Sequence, residues 1–335
     1  MIKFGIIGFG HIGRRHAEMV VRNELAQLVA VCDIKDFANS YNVPGYHDAE
    51  GMLAAHPDID VVCVCTPNGS HAEFALLALK KLKHVVIEKP LALSKQDCEK
   101  LIFTALRVNK QVFCVMQNRY SPPSVWIKNL ISSGKLGKIF MVNVNCYWNR
   151  DDRYYKKGGW KGKLTEDGGT LFTQFSHFID IMYWLFGDIT NVQSKFSDFN
   201  HESSTQFEDS GVVLFDFVSG GMGSINFTTS IWDTNFESSL TIIAENGTIK
   251  LGGQYMNEVS YCHVKDYVMP ELPPSNPAND YGHYKGSAAN HVYVIDNVVD
   301  TLEGKTNIST NALEGLKVVE IIEQIYQSGQ RPIKA

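Results

Sequence analysis

The chain has 335 residues, 44% hydrophobic and 20% charged, with a net charge of −5. This is ordinary globular composition, long enough to bury several cores without disulfides or metals, and at ~100–200 residues per domain it predicts about two domains. No basic surplus points to nucleic acid or an anionic membrane, and no run reaches the ~18–20 apolar residues that span a bilayer.

The opening apolar run, Ile2–Ile7, is as hydrophobic as a signal-peptide core. Gly8, Gly10 and Gly13 interrupt it, however, and Arg14-Arg15-His16 stand where a cleavage site belongs. A cytoplasmic protein is expected. The seven cysteines (Cys32, Cys63, Cys65, Cys98, Cys114, Cys146 and Cys262) are odd in number and contain no CxxC pair, so they read as reduced residues.

The first third alternates strand and helix patterns. Ile2–Ile7 leads through a glycine turn into helical spacing over His11–Arg22. Leu28–Cys32 is a second apolar run, closed by Asp33. Asp60–Cys65 is a third, followed by the turn cluster Thr66-Pro67-Asn68-Gly69-Ser70, where Ser70 can cap a helix from His71. His84–Glu88 is a fourth, ended by Pro90; Ser94 caps another helix, and Gln111–Met116 is a fifth run. Strands apolar on both faces and joined by helices predict a parallel sheet covered on two sides.

After residue 120 the pattern changes. Ser121-Pro122-Pro123 starts a helix that ends at Gly134. Lys138–Trp148 alternates, with Phe140, Val142, Val144, Cys146 and Trp148 on one face and Asn143, Asn145 and Tyr147 on the other. Similar segments near 191–199, 208–218, 222–230, 236–244 and 247–251 predict an antiparallel sheet. Helical spacing returns over 288–303 and 311–328. The domains expected are 1–120 and 121–335, α/β followed by α+β, with the C-terminal helix able to pack back on the N-terminal domain.

Gly8-Phe9-Gly10-His11-Ile12-Gly13 fits G-x-G-x-x-G between a strand and a helix, and Asp33 ends the next strand. Gly8 allows the tight turn, Gly10 lets backbone approach a pyrophosphate, and Gly13 lets helix and strand pack closely. Asp33 can accept from both adenosine ribose hydroxyls and would repel a 2′-phosphate, which favours NAD over NADP. Glu88-Lys89-Pro90 ends a strand at the edge where such sheets bind ligands. Lys89 there can hold a substrate hydroxyl or act as a base; it can equally be a surface lysine paired with Glu88. Thr173, His177 and Asp180 lie at i, i+4 and i+7 of a predicted helix and share a face. Asp180 can orient the His177 imidazole or bond a neighbouring backbone. Arg150, Arg153, Tyr154, Tyr155 and Lys161 form a cationic, aromatic cluster suited to phosphate or carboxylate. No cluster has metal-ligand spacing.

The ordered set Gly8–Gly13, Thr66-Pro67-Asn68 with His71, Glu88-Lys89-Pro90, and Gly168-Gly169 followed by His177 and Asp180 resembles the Gfo/Idh/MocA oxidoreductases over essentially the whole chain. The resemblance implies an N-terminal Rossmann domain and a C-terminal α+β domain with an open, mainly antiparallel sheet, through which homodimers or homotetramers form. It implies cofactor contacts from Gly8, Phe9, Gly10, His11, Ile12, Gly13, Asp33, Thr66, Pro67, Asn68, His71, Glu88 and Lys89. It implies catalysis by Lys89 and His177. A narrower set resembles the WlbA/WbpB-type enzymes: Arg153-Tyr154-Tyr155, Trp160-Lys161-Gly162, Gln174 before His177, Phe207-Glu208-Asp209-Ser210-Gly211 and Gly282-His283. Those oxidise the 3-hydroxyl of UDP-N-acetylglucosaminuronate with NAD, and the resemblance implies substrate contacts from Lys89, Arg153, Tyr154, Tyr155, Trp160, Thr173, Gln174 and His177. Thr173 stands where many members carry aspartate, which speaks against the inositol-dehydrogenase type. A dehydrogenase of a free sugar, inositol or glycoside, and a non-catalytic NAD-binding sensor, are the rival expectations.

Overall fold

The computed structural model describes residues 1–334. The chain divides into two units: Met1–Met116 with His291–Val319, and Gln117–Asn290 with the residues from Glu320 on.

In the first unit the chain runs β1 (Ile2–Ile7), α1 (His11–Arg22), β2 (Ala26–Cys32), β3 (Gly45–Tyr46), α2 (Ala49–Ala55), β4 (Val61–Val64), α3 (His71–Lys80), β5 (His84–Ile87), α4 (Lys95–Arg107) and β6 (Val112–Cys114). All six strands are parallel, in the order β3-β2-β1-β4-β5-β6. β1, β4, β5 and β6 are buried on both faces (every residue of β4 and β6 is buried), as their continuous apolar character requires, while the edge strand β3 is not. The order reverses between β1 and β4, so the turns after these two strands flank the point where doubly wound sheets bind ligands. Ser94 caps α4 as expected, accepting from Asp97 N at 3.1 Å and donating to its carboxylate at 2.7 Å. Ser70 does not cap α3. Its hydroxyl turns back to the Pro67 carbonyl at 2.9 Å and Thr66 Oγ1 at 3.0 Å, because a tight helical turn over residues 68–70 already leads into the helix.

His84 opens β5, and its Nδ1 accepts from Gln111 N at 3.0 Å. Burial, helped by Lys110, pushes its imidazole down from 6.5 to about 4. The unfolded chain therefore takes up a proton that the folded chain refuses as pH falls between these values. Stability is expected to decline from pH 6.5 to 4 and to be fully present above that window. Urea unfolding across this range should show a shallower decline for His84→Asn, which keeps an acceptor and cannot titrate; an unchanged slope would contradict the assignment.

The second unit holds α5 (Pro122–Ser132), β7 (Ile139–Tyr147), α6 (Leu164–Asp167), α7 (Ser176–Phe186), β8 (Ile189–Ser197), β9 (Ser210–Phe217), β10 (Met222–Thr228), β11 (Glu237–Ala244), β12 (Gly247–Gly252), β13 (Glu258–Val264) and a small ribbon, β14 (Ala278–Asp280) with β15 (Lys285–Ala288). Helices α8 (His291–Leu302) and α9 (Ala312–Gln327) follow; α8 and the first half of α9 count with the first unit. The large sheet has the order β13-β12-β11-β7-β10-β9-β8. It is mixed: β7 and β10 are parallel, and every other pair is antiparallel. Alternation fixes which residues face inward but not the direction of a neighbour, and β7 and β10 are not joined by a hairpin.

Val142, Val144 and Cys146 of β7, with Ile225, Phe227, Leu240 and Ile242 of its neighbours, face the core. Trp148 closes it, set edge-on to Phe175 and Phe178 at 5.5 and 5.6 Å between ring centres. The opposite face carries a polar ladder in which Asn145 Oδ1 accepts from Asn226 and Tyr147, both at 3.1 Å. Exposed Met141, Val212, Leu214 and Met222 flank it. Among the described residues no helix is long and apolar enough to cross a membrane.

Candidate active site

In the first unit the glycine turn is shaped by close approach. Gly8 has φ +90°, and a Cβ there would lie 2.6 Å from the Cys65 backbone. A Cβ on Gly13 would lie 2.0 Å from the Gly8 carbonyl oxygen, whereas one on Gly10 would meet nothing within 4 Å. Two glycines thus serve the packing of β1, α1 and β4, and the third leaves open space. The N-cap of α1, Gly10, makes no side-chain capping hydrogen bond, and the helix N-terminus beside the turn favours an anion. The Asp33 carboxylate accepts from Phe9 N at 2.7 Å and Lys35 N at 3.0 Å, which sets the acid at the end of β2 against the turn. Phe9 itself is buried against Phe37, with ring centres 5.3 Å apart, and Arg14 stacks over it. The donor set, the open cradle at Gly10 and the acid fit a dinucleotide with a free ribose.

The turns after β4 and β5 are tied together by His71. Its Nδ1 lies 2.7 Å from the Pro90 carbonyl and its Nε2 3.0 Å from the Thr66 carbonyl. Burial lowers its imidazole below the ordinary value. Asn68 is buried beside this clamp and Lys89 is partly buried. Glu88 is buried too, with its carboxylate turned to His16 and His291 rather than outward.

In the second unit His177 is buried as the second residue of α7, its Nε2 3.3 Å from the Gln117 amide nitrogen. The turn before it, Leu171–Phe175, is π-helical. The wider turn alters the angular step between Thr173 and His177, so a face drawn at 100° per residue does not hold there. Thr173 donates to the backbone carbonyl of Asp167 at 3.0 Å and also to its carboxylate. A carboxylate therefore stands directly behind the Thr173 hydroxyl. Gln174 accepts from Arg150 Nε and donates to Tyr154 Oη, each at 2.7 Å. Arg150 is 2% exposed and stacks between Trp148, Tyr154 and Tyr284. Lys161 lies over the same two tyrosines, 3.7 Å from the Tyr154 ring centre. Arg150, Tyr154, Lys161 and Gln174 thus come together. Tyr155 packs on Tyr154 and His201. Trp160 sits on the half-buried turn leading to Lys161. Arg153 is half-exposed and held by Asp151 and Asp233.

Two partners escaped the sequence reading. Asp180 is paired bidentately with Arg119, at 2.9 and 2.6 Å, and both are buried. They are 61 residues apart, and no local pattern joins them. Gly169 (φ +124°) is required by the chain itself: a Cβ would lie 2.3 Å from Arg331 and 2.6 Å from the Tyr326 hydroxyl. Arg119→Met strips a buried carboxylate of its bidentate partner and is expected to cost about 3–5 kcal/mol in urea unfolding; a loss below about 1 kcal/mol would contradict the pairing.

Residues 2–116 match the family model described as "Oxidoreductase family, NAD-binding Rossmann fold", and residues 125–250 match the GFO/IDH/MocA C-terminal domain. The chain is similar to the WlbA dehydrogenase of Bordetella pertussis, solved in complex with NADH and UDP-GlcNAcA, at 29% identity and TM-score 0.86, covering 100% of this chain and 99% of that one. A WlbA dehydrogenase from Chromobacterium violaceum, solved with the same ligands, is 30% identical with TM-score 0.86 over 100% of this chain and 96% of that one. Inositol 2-dehydrogenase of Salmonella typhimurium is 28% identical over 231 residues, 65% of each chain. The chain spans 55–65% of the length of the first curated relatives it matches.

Proposed function

Because the chain belongs to the Gfo/Idh/MocA oxidoreductases, we propose that it is an NAD-dependent dehydrogenase of the C3 hydroxyl of a UDP-N-acetylhexosaminuronate. The observation that carries this reading is the whole-length likeness to two WlbA dehydrogenases at 29–30% identity. The geometry supports it on both units: a glycine cradle with Asp33 on one, and a buried histidine together with a cationic, aromatic cluster bonded to Gln174 on the other.

With NAD bound, Gly10 and the N-terminus of α1 would meet the pyrophosphate in a turn shaped by Gly8 and Gly13, and Asp33 would take the ribose hydroxyls. NAD, when bound, supplies the hydride acceptor. Lys89 hydrogen-bonds the reacting oxygen, and either His177 or Lys89 takes the hydroxyl proton as the hydride leaves. Arg150 and Lys161, spread over Tyr154 and Tyr284, supply positive charge for an anionic substrate. Self-association through the open sheet face belongs to the same proposal, supported by exposed Val212, Leu214 and Met222.

The hydrogen bonds from Thr173 to Asp167 sustain a second reading, oxidation of an inositol or free sugar, because they restore a carboxylate near the position where such enzymes use one. Turnover with NAD on UDP-N-acetylglucosaminuronate, UDP-N-acetylglucosamine, myo-inositol and glucose separates the two. A keto product from the uronate alone is expected. Product from myo-inositol alone would establish the second reading, and product from none would overturn both.

A further inference from the structure

Glu88 immediately precedes Lys89, and its carboxylate gathers N–H groups from three places in the first unit. Oε1 lies 2.8 Å from His16 Nε2 and 3.3 Å from His291 Nε2, and Oε2 lies 3.3 Å from the backbone nitrogen of Lys89. The two imidazoles stand edge to face, with ring centres 5.6 Å apart. His16 is 0%, His291 2% and Glu88 7% exposed, which leaves no surface for a substrate. His16 rides on α1, the helix that begins at the glycine turn, and His291 is the first residue of α8. Nothing in the chemistry described above uses either imidazole.

We propose that His16, Glu88 and His291 form a buried clamp that fixes the backbone at Lys89 relative to the glycine turn, which makes His16 and His291 positioning residues for the reaction. This rests on the role given to Lys89 above. Two donors on one carboxylate oxygen hold it in both directions, where a single hydrogen bond would let it swing. The electrostatics agree. The Glu88 carboxylate is buried, yet its hydrogen bonds to His16 and His291 hold it well below the usual carboxylate range. Burial lowers the His291 imidazole. Burial opposes charge on His16 as well, but Cys65, Cys63 and Glu88 around it raise its imidazole well above the ordinary value. The cluster is thus a carboxylate–imidazolium pair braced by a neutral second imidazole.

The same three groups lie close enough to ligate a metal ion. Ligation through Nε2 would leave the proton of His291 on Nδ1, a buried atom with no hydrogen-bond partner, and an orphaned buried donor is costly. In the clamp His291 keeps its proton on Nε2 toward Glu88 and is spared that cost, which falls on His16 Nδ1 alone, whereas a metal would impose it on both imidazoles.

Steady-state kinetics of His291→Leu and His291→Gln test the clamp, with NAD affinity and thermal unfolding measured alongside. The leucine variant is expected to lose ~10²-fold in kcat, the cost of an ~1 Å misplacement, and glutamine, which keeps an N–H donor, to recover about tenfold of it. KM values are expected to stay within about twofold, and in a Lys89→Ala background the leucine change is expected to cost less than about twofold, because the two act as one unit. If the leucine variant does not fold, Glu88→Gln takes its place with the same expected kcat loss. Wild-type kcat in the folded leucine variant, equal losses with leucine and glutamine, full additivity with Lys89→Ala, or stoichiometric zinc that leaves with His291 would each overturn the clamp. An active Lys89→Ala enzyme would instead show that the reading of Lys89 has failed, and the clamp with it.

Discussion

Lys89→Ala is expected to lower kcat by ~10²–10⁴-fold, the usual contribution of a positioned acid or base, while NAD binds about as tightly as before. The two effects separate because the cofactor is held elsewhere. In the proposed reading the pyrophosphate meets the start of α1 and the ribose meets Asp33, just after β2, whereas Lys89 acts at the reacting hydroxyl. Its neighbour Glu88 does not take its place as an acid: that carboxylate is committed to His16 and His291. Turnover and NAD titration on the same preparation decide the matter. A variant that keeps more than about a tenth of the wild-type rate would remove Lys89 from the chemistry.

Gly13→Ala is expected to abolish NAD binding and to destabilise the fold by at least about 2–3 kcal/mol, toward the upper end of over-packing costs. The added methyl would sit 2.0 Å from the Gly8 carbonyl oxygen, a distance that forces β1 and α1 apart. Gly10→Ala provides the contrast. A methyl there meets no protein atom within 4 Å, so the unfolding midpoint should hold while NAD affinity falls at least about tenfold, ~1.4 kcal/mol. Equal stability losses in the two variants would contradict the division of roles between packing and ligand approach.

Much of this architecture is legible locally. The apolar runs 2–7, 60–65 and 84–88 read as covered parallel strands because both faces of each are apolar, and they are. The alternation in 138–148 puts Val142, Val144 and Cys146 inward and leaves Asn143 and Asn145 outward, as found, but Phe140, on the inward set by alternation, is exposed near the start of the strand. The fingerprint turn is legible because Gly8 and Gly13 answer steric demands of the neighbouring strand and helix, while Gly10 leaves open space at the turn. What escapes is partner choice over long separations. Nothing near Asp180 announces Arg119, and nothing near Glu88 announces His291, 203 residues further on. The parallel pairing of β7 with β10 is invisible for the same reason, since direction is settled by connection and not by face. The π-helical turn before His177 is a finer failure. Its sequence, Leu-Phe-Thr-Gln-Phe, carries no signal that distinguishes it from α-helix. Gly168-Gly169 reads equally as room for a ligand; only the fold reveals Tyr326 and Arg331 pressing on Gly169.

The central claim is that hydride leaves C3 of a UDP-N-acetylhexosaminuronate for the nicotinamide. UDP-N-acetylglucosaminuronate deuterated at C3, incubated with the enzyme and NAD and followed by mass spectrometry, tests it most directly. The expected result is deuterium on the reduced cofactor in step with a 3-keto sugar, and loss of both with Lys89→Ala. Conversion of the sugar with no label in the cofactor, or no conversion under conditions where myo-inositol is oxidised, would contradict it.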